Sequence, residues 1–151
     1  MSSDEELRKI LSSYKTVAVV GISKDPHKES RRVAAYLKGN DYRIVPINPT
    51  TASIMGMQAY PSLNEVPDAL AREIEIIDVF RKSEDVPAVV DEAIRLKQKF
   101  GRLKVVWMQL GIVNVDAAEV ASRADLTVVM DRCMAQEHHR LIGGKSEADA
   151  H

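Results

Sequence analysis

Five short apolar runs, each rich in β-branched residues, limit what this chain can fold into. They are Val17-Ala-Val-Val20, Ile44-Val-Pro-Ile47, Ile74-Glu-Ile-Ile-Asp-Val79, Val105-Val-Trp-Met108 and Leu126-Thr-Val-Val-Met130. They are mostly continuous rather than alternating, which is the pattern of strands covered on both faces in a parallel sheet. Helical spacing occupies most of the intervals. Leu7, Ile10, Leu11 and Tyr14 fall at i, i+3, i+4 and i+7, and Ser3 with Glu6 has the spacing of a capping box. Val33, Ala34 and Leu37 mark a second helix that Gly39-Asn40 ends. Val86, Val89, Val90, Ala93 and Ile94 mark a third, with Ser83 as its expected cap and Pro87 tolerated in the first turn. Ala117, Val120, Ala121 and Ala124 mark a fourth after Asn114, and a short last helix is expected from Ala135 to Leu141.

Strands alternating with helices make βαβ crossovers. The expectation is a Rossmann-like α/β domain, three layers in the order αβα, around a mostly parallel, doubly wound sheet of about five strands. Pro46 lacks a ladder donor and is expected near the end of its strand. The segment 50–67 reads as a connection with only a short helical pattern, Leu63 to Val66. One domain over residues 1–142 is expected, followed by a polar tail, 143–151, that frays.

Composition narrows the functional classes. The chain has 151 residues, the size of one domain, and carries 21 basic and 22 acidic residues for a net charge of −1. That balance offers no global field for nucleic acid or an anionic membrane, so neither is expected as a partner. No apolar run reaches membrane-spanning length and the start has no apolar leader, so a cytoplasmic location is expected. Cys133 is the single cysteine, which excludes an internal disulfide and a multi-cysteine zinc site within this sequence.

In a doubly wound sheet, ligands bind beyond the carboxyl ends of the strands, where strand order reverses. Five loops qualify: Gly21-Ile-Ser-Lys24, Asn48-Pro-Thr50, Phe80-Arg-Lys82, Gln109-Leu-Gly111 and Asp131-Arg-Cys133. In the first, Gly21 is expected to let backbone N–H groups approach an anion, Ser23 offers a hydroxyl, and the following helix presents its positive end. A dinucleotide fingerprint would need glycines at positions 23 and 26, where Ser23 and Pro26 stand. The second strand also ends in Asn48-Pro49 rather than a ribose-holding acid, so both departures count against NAD(H). Lys24, His27, Lys28, Arg31 and Arg32 follow the first loop, with Arg81, Lys82 and Arg132 on others. Such basic residues suit a multiply phosphorylated ligand, although each alone is an ordinary solvated charge.

Five ordered motifs carry a more specific resemblance: Val17-Ala-Val-Val-Gly-Ile-Ser23, Arg43-Ile-Val-Pro-Ile-Asn-Pro49, Ile77-Asp-Val-Phe-Arg81, Val105-Val-Trp-Met-Gln-Leu-Gly-Ile-Val-Asn114 and Leu126-Thr-Val-Val-Met-Asp-Arg-Cys133. Together they resemble the small stand-alone CoA-binding proteins, a family related to the CoA-binding N-terminal domain of the succinyl-CoA synthetase α subunit. The resemblance spans about residues 10 to 142. It implies coenzyme A as the ligand, with Gly21, Ile22, Ser23 and Lys24 lining its phosphates. Asn48 and Pro49 would face the nucleotide, Val79, Phe80 and Arg81 would follow the ligand, and Gln109 and Gly111 would lie towards the pantetheine. Ser30 and Arg31 are included more loosely, as are Lys28 and Arg32. The synthetase's phosphorylated histidine and nucleotide-binding partner domain have no counterpart in this length, so the resemblance implies binding of CoA or a short acyl-CoA without catalysis.

Sharper readings compete with plainer ones. Cys133 beside Arg132 could be a nucleophile or form a mixed disulfide with the CoA thiol, but a buried structural cysteine is expected. His138 and His139 are adjacent, not i and i+4, so no metal site is expected. Trp107 reads as core, and the tyrosines show no pattern. The alternatives are a CoA- or nucleotide-responsive regulatory protein acting through a partner, and a small NAD-linked or cysteine-dependent enzyme. A homodimer or an unknown protein partner stays open.

Overall fold

The computed structural model describes residues 2–144. Five parallel strands form the main sheet: β1 (Thr16–Val20), β2 (Arg43–Ile47), β5 (Ile76–Val79), β6 (Val105–Met108) and β7 (Thr127–Val129), in the order β2-β1-β5-β6-β7. Helices α1 (Asp4–Ser13), α2 (Glu29–Gly39) and α6 (Met134–Ile142) cover one face, and α4 (Val86–Phe100) and α5 (Val115–Arg123) cover the other. The expected three-layer, doubly wound fold is therefore present.

Alternation along each strand builds the two cores. Val17 and Val19 of β1 pack with Leu7, Leu11, Val33 and Met134, whereas Ala18 and Val20 pack with Val86, Val90 and Ala93. Trp107 is fully buried on the first face, and its Nε1–H donates to the Arg132 carbonyl at 2.8 Å. That bond satisfies its single polar group and holds the turn after β7.

Helix ends follow the sequence at most positions. The Ser3 hydroxyl accepts from the Glu6 N–H, Asn114 accepts from the Ala117 N–H, and Gly101 closes α4 in the left-handed region. Ser83 departs from its expected role. A 3-10 turn (Ser83–Asp85) precedes α4, and the Ser83 hydroxyl accepts instead from the Val113 N–H at 3.0 Å while its carbonyl accepts from Asn114 Nδ2. Ser83 thus ties the β5–α4 loop to the β6–α5 loop.

Pro46 is tolerated because β2 is an edge strand. Its carbonyl accepts the Tyr60 N–H on the outer side, the side towards which its own missing donor would point. The connection 50–67 contains more structure than expected. A small hairpin, β3 (Ser53–Ile54) and β4 (Met57–Gln58), turns through Met55 and Gly56, both at positive φ. A short helix, α3 (Asp68–Ala71), follows a 3-10 turn at Leu63–Glu65. At the other terminus Gly143 caps α6 in the left-handed region, and residues 145–151, most of the expected tail, lie outside the described residues. Among the described residues, no helix is long and apolar enough to cross a membrane.

Candidate functional site

The chain leaves β1 for β2 on one side, then returns to β5 on the other. Strand order therefore reverses between β1 and β5, and the crevice above their carboxyl ends is the switch point. The loops at Gly21–Lys24, Asn48–Thr50 and Phe80–Lys82 meet there.

Hydrogen bonds lock the first loop against its neighbours. The Gly21 N–H donates to the Ile47 carbonyl at 3.1 Å, and Asn48 Nδ2 donates to the Ile22 carbonyl at 2.8 Å. The Ser23 N–H donates to the buried Ser30 hydroxyl at 2.9 Å, and the Ser23 hydroxyl accepts from the Asp25 N–H. Asn48 Oδ1 accepts from the N–H and the hydroxyl of Thr50, which fixes the second loop.

Gly21 has a structural reason besides the expected one. Its φ is +91°, and a Cβ there would lie 2.2 Å from the Phe80 carbonyl oxygen. The glycine lets β1 and β5 close together at the switch point, and its N–H is already engaged. An anion at this loop would meet other donors. Lys28 at the start of α2 supplies no side-chain acceptor, and the Arg31 and Arg32 N–H groups donate to its carbonyl, so the Glu29 and Ser30 amides of the first turn remain for a ligand.

Charge gathers around these amides. Lys24 and Lys28 are exposed, and Arg31 is half-buried with its Nε buried and unpartnered. Among the described residues no carboxylate pairs with Lys24, Lys28, Arg31, Arg81 or Lys82. Arg32, by contrast, is bound to Glu29 at 2.9 Å, and Arg132 to Glu137 at 3.4 Å.

The remaining candidates divide by depth. Pro49 is exposed, while Phe80 and Arg81 are half-buried at the end of β5. Ile22 and Val79 are fully buried, so their side chains support the floor of the crevice. Gln109 is also buried; its Oε1 accepts from the Met134 N–H at 3.0 Å and anchors the start of α6. The Gly111 N–H donates to Asp131 Oδ1 at 2.6 Å, which joins the loops after β6 and β7.

Cys133 is 3% exposed and forms part of a cavity of about 460 Å³ between α2 and α6, with Val33, Tyr36 and His139. His138 lies inside the fold, where its Nδ1 meets the Tyr36 hydroxyl at 2.9 Å. Among the described residues no three His, Cys, Asp or Glu side chains gather as a metal set. Asp85 and Glu92, absent from the sequence reading, line a pocket beside Arg81. The available signal for Glu92 was its place next to the apolar stripe of α4, three residues after Val89.

Residues 15–139 match the family described as the CoA binding domain, a span that takes in every strand of the main sheet and all three switch-point loops. The chain belongs to the CoA-binding domain family. Its similarity to an uncharacterised protein of Bacillus subtilis is 35% identity over 136 residues, 90% of this chain and 94% of the relative. An ADP-forming acetate–CoA ligase of Archaeoglobus fulgidus is 31% identical over 80 residues, and there the aligned part is 52% of this chain but 11% of the ligase. A CoA-binding domain of this kind is thus similar both to proteins of its own size and to a segment of much longer enzymes. Among solved structures, a hypothetical protein from Pyrococcus horikoshii superposes with a TM-score of 0.85 at 37% identity, covering 94% of both chains. A dinucleotide-forming acetyl-coenzyme A synthetase from Candidatus Korarchaeum cryptofilum gives 0.62 at 25% identity, covering 80% of this chain and 26% of the synthetase.

Proposed function

We propose that this CoA-binding domain holds coenzyme A across the carboxyl ends of β1, β2 and β5, and that it binds without chemistry of its own. The observation that carries the layout is the set of unpaired cations beside uncapped α2 amides. Arg31, with its Nε buried and unpartnered among the described residues, joins Lys24 and Lys28 beside the switch-point crevice, which supports a phosphate-bearing ligand there. The pyrophosphate lies over Ser23 and Lys24, the nucleotide lies between Asn48-Pro49 and Phe80-Arg81, and the pantetheine runs towards Gln109 and Gly111. Supporting the non-catalytic reading, Cys133 is buried and the His138 imidazole is already engaged by the Tyr36 hydroxyl.

Thermal unfolding with and without ligand tests this. CoA at 100 times its dissociation constant adds about 2.7 kcal/mol, a shift of several degrees in a domain of this size. NADH at the same concentration leaves the midpoint unchanged. Stabilisation by NADH with none by CoA would sink the reading.

A further inference from the structure

The environment beside Arg81 differs from the basic loop after β1. A cavity of about 270 Å³ opens between the ends of β1 and β2 and the first turns of α4. Val20, Ile47 and Val89 form apolar walls, and Arg81, Asp85 and Glu92 supply the charges. Its volume is below the roughly 300–1,000 Å³ of pockets that enclose a whole drug-sized ligand, so it suits one ring system of a larger molecule. Two carboxylates against one guanidinium disfavour a phosphate and favour a group that donates hydrogen bonds.

Glu92 makes that demand specific. Its Oε1 is buried and, among the described residues, has no hydrogen-bond partner. A buried acceptor left without a donor is costly, so a ligand donor beside it is favoured. Apolar lining from Val20, Ile47 and Val89 together with a Glu92 acceptor that lacks a donor match a purine carrying an amino group.

We propose that this cavity takes the 6-aminopurine ring of the ligand and that Glu92 reads its exocyclic amine by accepting an N–H; this deepens the CoA reading and rests on it. Adenine presents a donor at position 6, whereas a 6-oxopurine presents an acceptor there. A carbonyl facing the Glu92 carboxylate would set acceptor against acceptor, so Glu92 selects by rejection as well as by attraction. Arg81, at the end of β5, adjoins both the ring cavity and the phosphate crevice.

Isothermal titration of the full chain with CoA and with its deaminated analogue, which carries hypoxanthine, tests the assignment. The native protein is expected to favour CoA by at least about tenfold, a modest fraction of what built hydrogen-bonding sites achieve. Glu92→Gln, whose amide can offer an N–H to the 6-carbonyl, brings the two ligands within about threefold of each other. Equal affinity of the native protein for both ligands would overturn base reading while leaving CoA binding in place. A preference that survives unchanged in Glu92→Gln would also overturn the role of Glu92, and that comparison requires only a folded variant by circular dichroism. If the native protein binds neither compound, the CoA reading itself fails, a result distinct from the other two.

Discussion

Asp78 sits on β5 between Val19 of β1 and Trp107 of β6, fully buried, with both carboxylate oxygens unpartnered among the described residues. Burial pushes its carboxyl well above the usual carboxylate range. The folded chain therefore holds a proton that the unfolded chain releases above about pH 4. Stability is full below that point and falls as pH rises towards the folded value, by up to about 1.4 kcal/mol per pH unit. Asp78→Asn keeps the shape and removes the titration. The variant is expected to gain on the native protein as pH rises from 5 to 7.5, read as midpoints of chemical denaturation. A difference that stays constant across that interval would show that Asp78 does not hold its proton in the fold.

At the scale of elements, the switch point depends on how closely the end of β1 approaches the end of β5. Gly21→Ala combines a left-handed backbone with a Cβ placed 2.2 Å from a backbone oxygen. Gly111→Ala meets only the backbone penalty, since its φ is +84° but nothing lies within 4 Å. The expected losses are about 1–2 kcal/mol at Gly111 and about 2–4 kcal/mol at Gly21, where overpacking adds to strain. Gly21→Ala should also weaken CoA binding, because the loop carrying Ser23 and Lys24 must move. Equal thermal midpoints for the two variants would show that the close approach is not what requires glycine at position 21.

Across the whole molecule, one aromatic cluster joins distant parts of the chain. His138 of α6 meets the Tyr36 hydroxyl of α2, and its ring lies edge-on to Tyr36 and Tyr42 with centroids 5.5 Å away. Tyr42, in turn, donates to the Leu11 carbonyl of α1, and Lys15 stands over its ring at 4.4 Å. Burial, then the charges of Lys15 and His139, lower the His138 pKa below its usual value of 6.5. The imidazole is thus neutral in the fold, while the unfolded chain takes up a proton near pH 6.5. Its contribution is fully present above that pH and is lost as pH falls through the folded value. Asp78 acts in the opposite direction over part of the same range, so the informative quantity is the gap between native and His138→Gln protein. That gap should be largest near pH 7.5 and narrow towards pH 5 in denaturation midpoints. A gap independent of pH would mean that His138 does not titrate differently in the two states.

Much of this was legible in the amino-acid order, because it depends on local periodicity and turn chemistry. The β-branched runs made strands, the 3.6-residue spacing made helices, and their alternation required a doubly wound sheet with its ligand crevice at the carboxyl ends. The loops from Gly21, Asn48 and Phe80 were legible on that basis among five at the strand ends, and the strand order then set those three at the switch point. The sequence also marked Gly21 as special, but only the contact with Phe80 showed that strand closure requires it. The same holds for Ser83, drawn from its expected cap to Val113, and for Tyr36, Tyr42 and His138, whose partners lie up to 102 residues apart. Asp78 likewise looked like an ordinary acid until packing buried both its oxygens without a partner among the described residues, as did Glu92 until packing left one of its oxygens so. Hydrophobic period is a property of neighbouring residues, whereas burial and pairing depend on which distant surfaces the folded chain brings together.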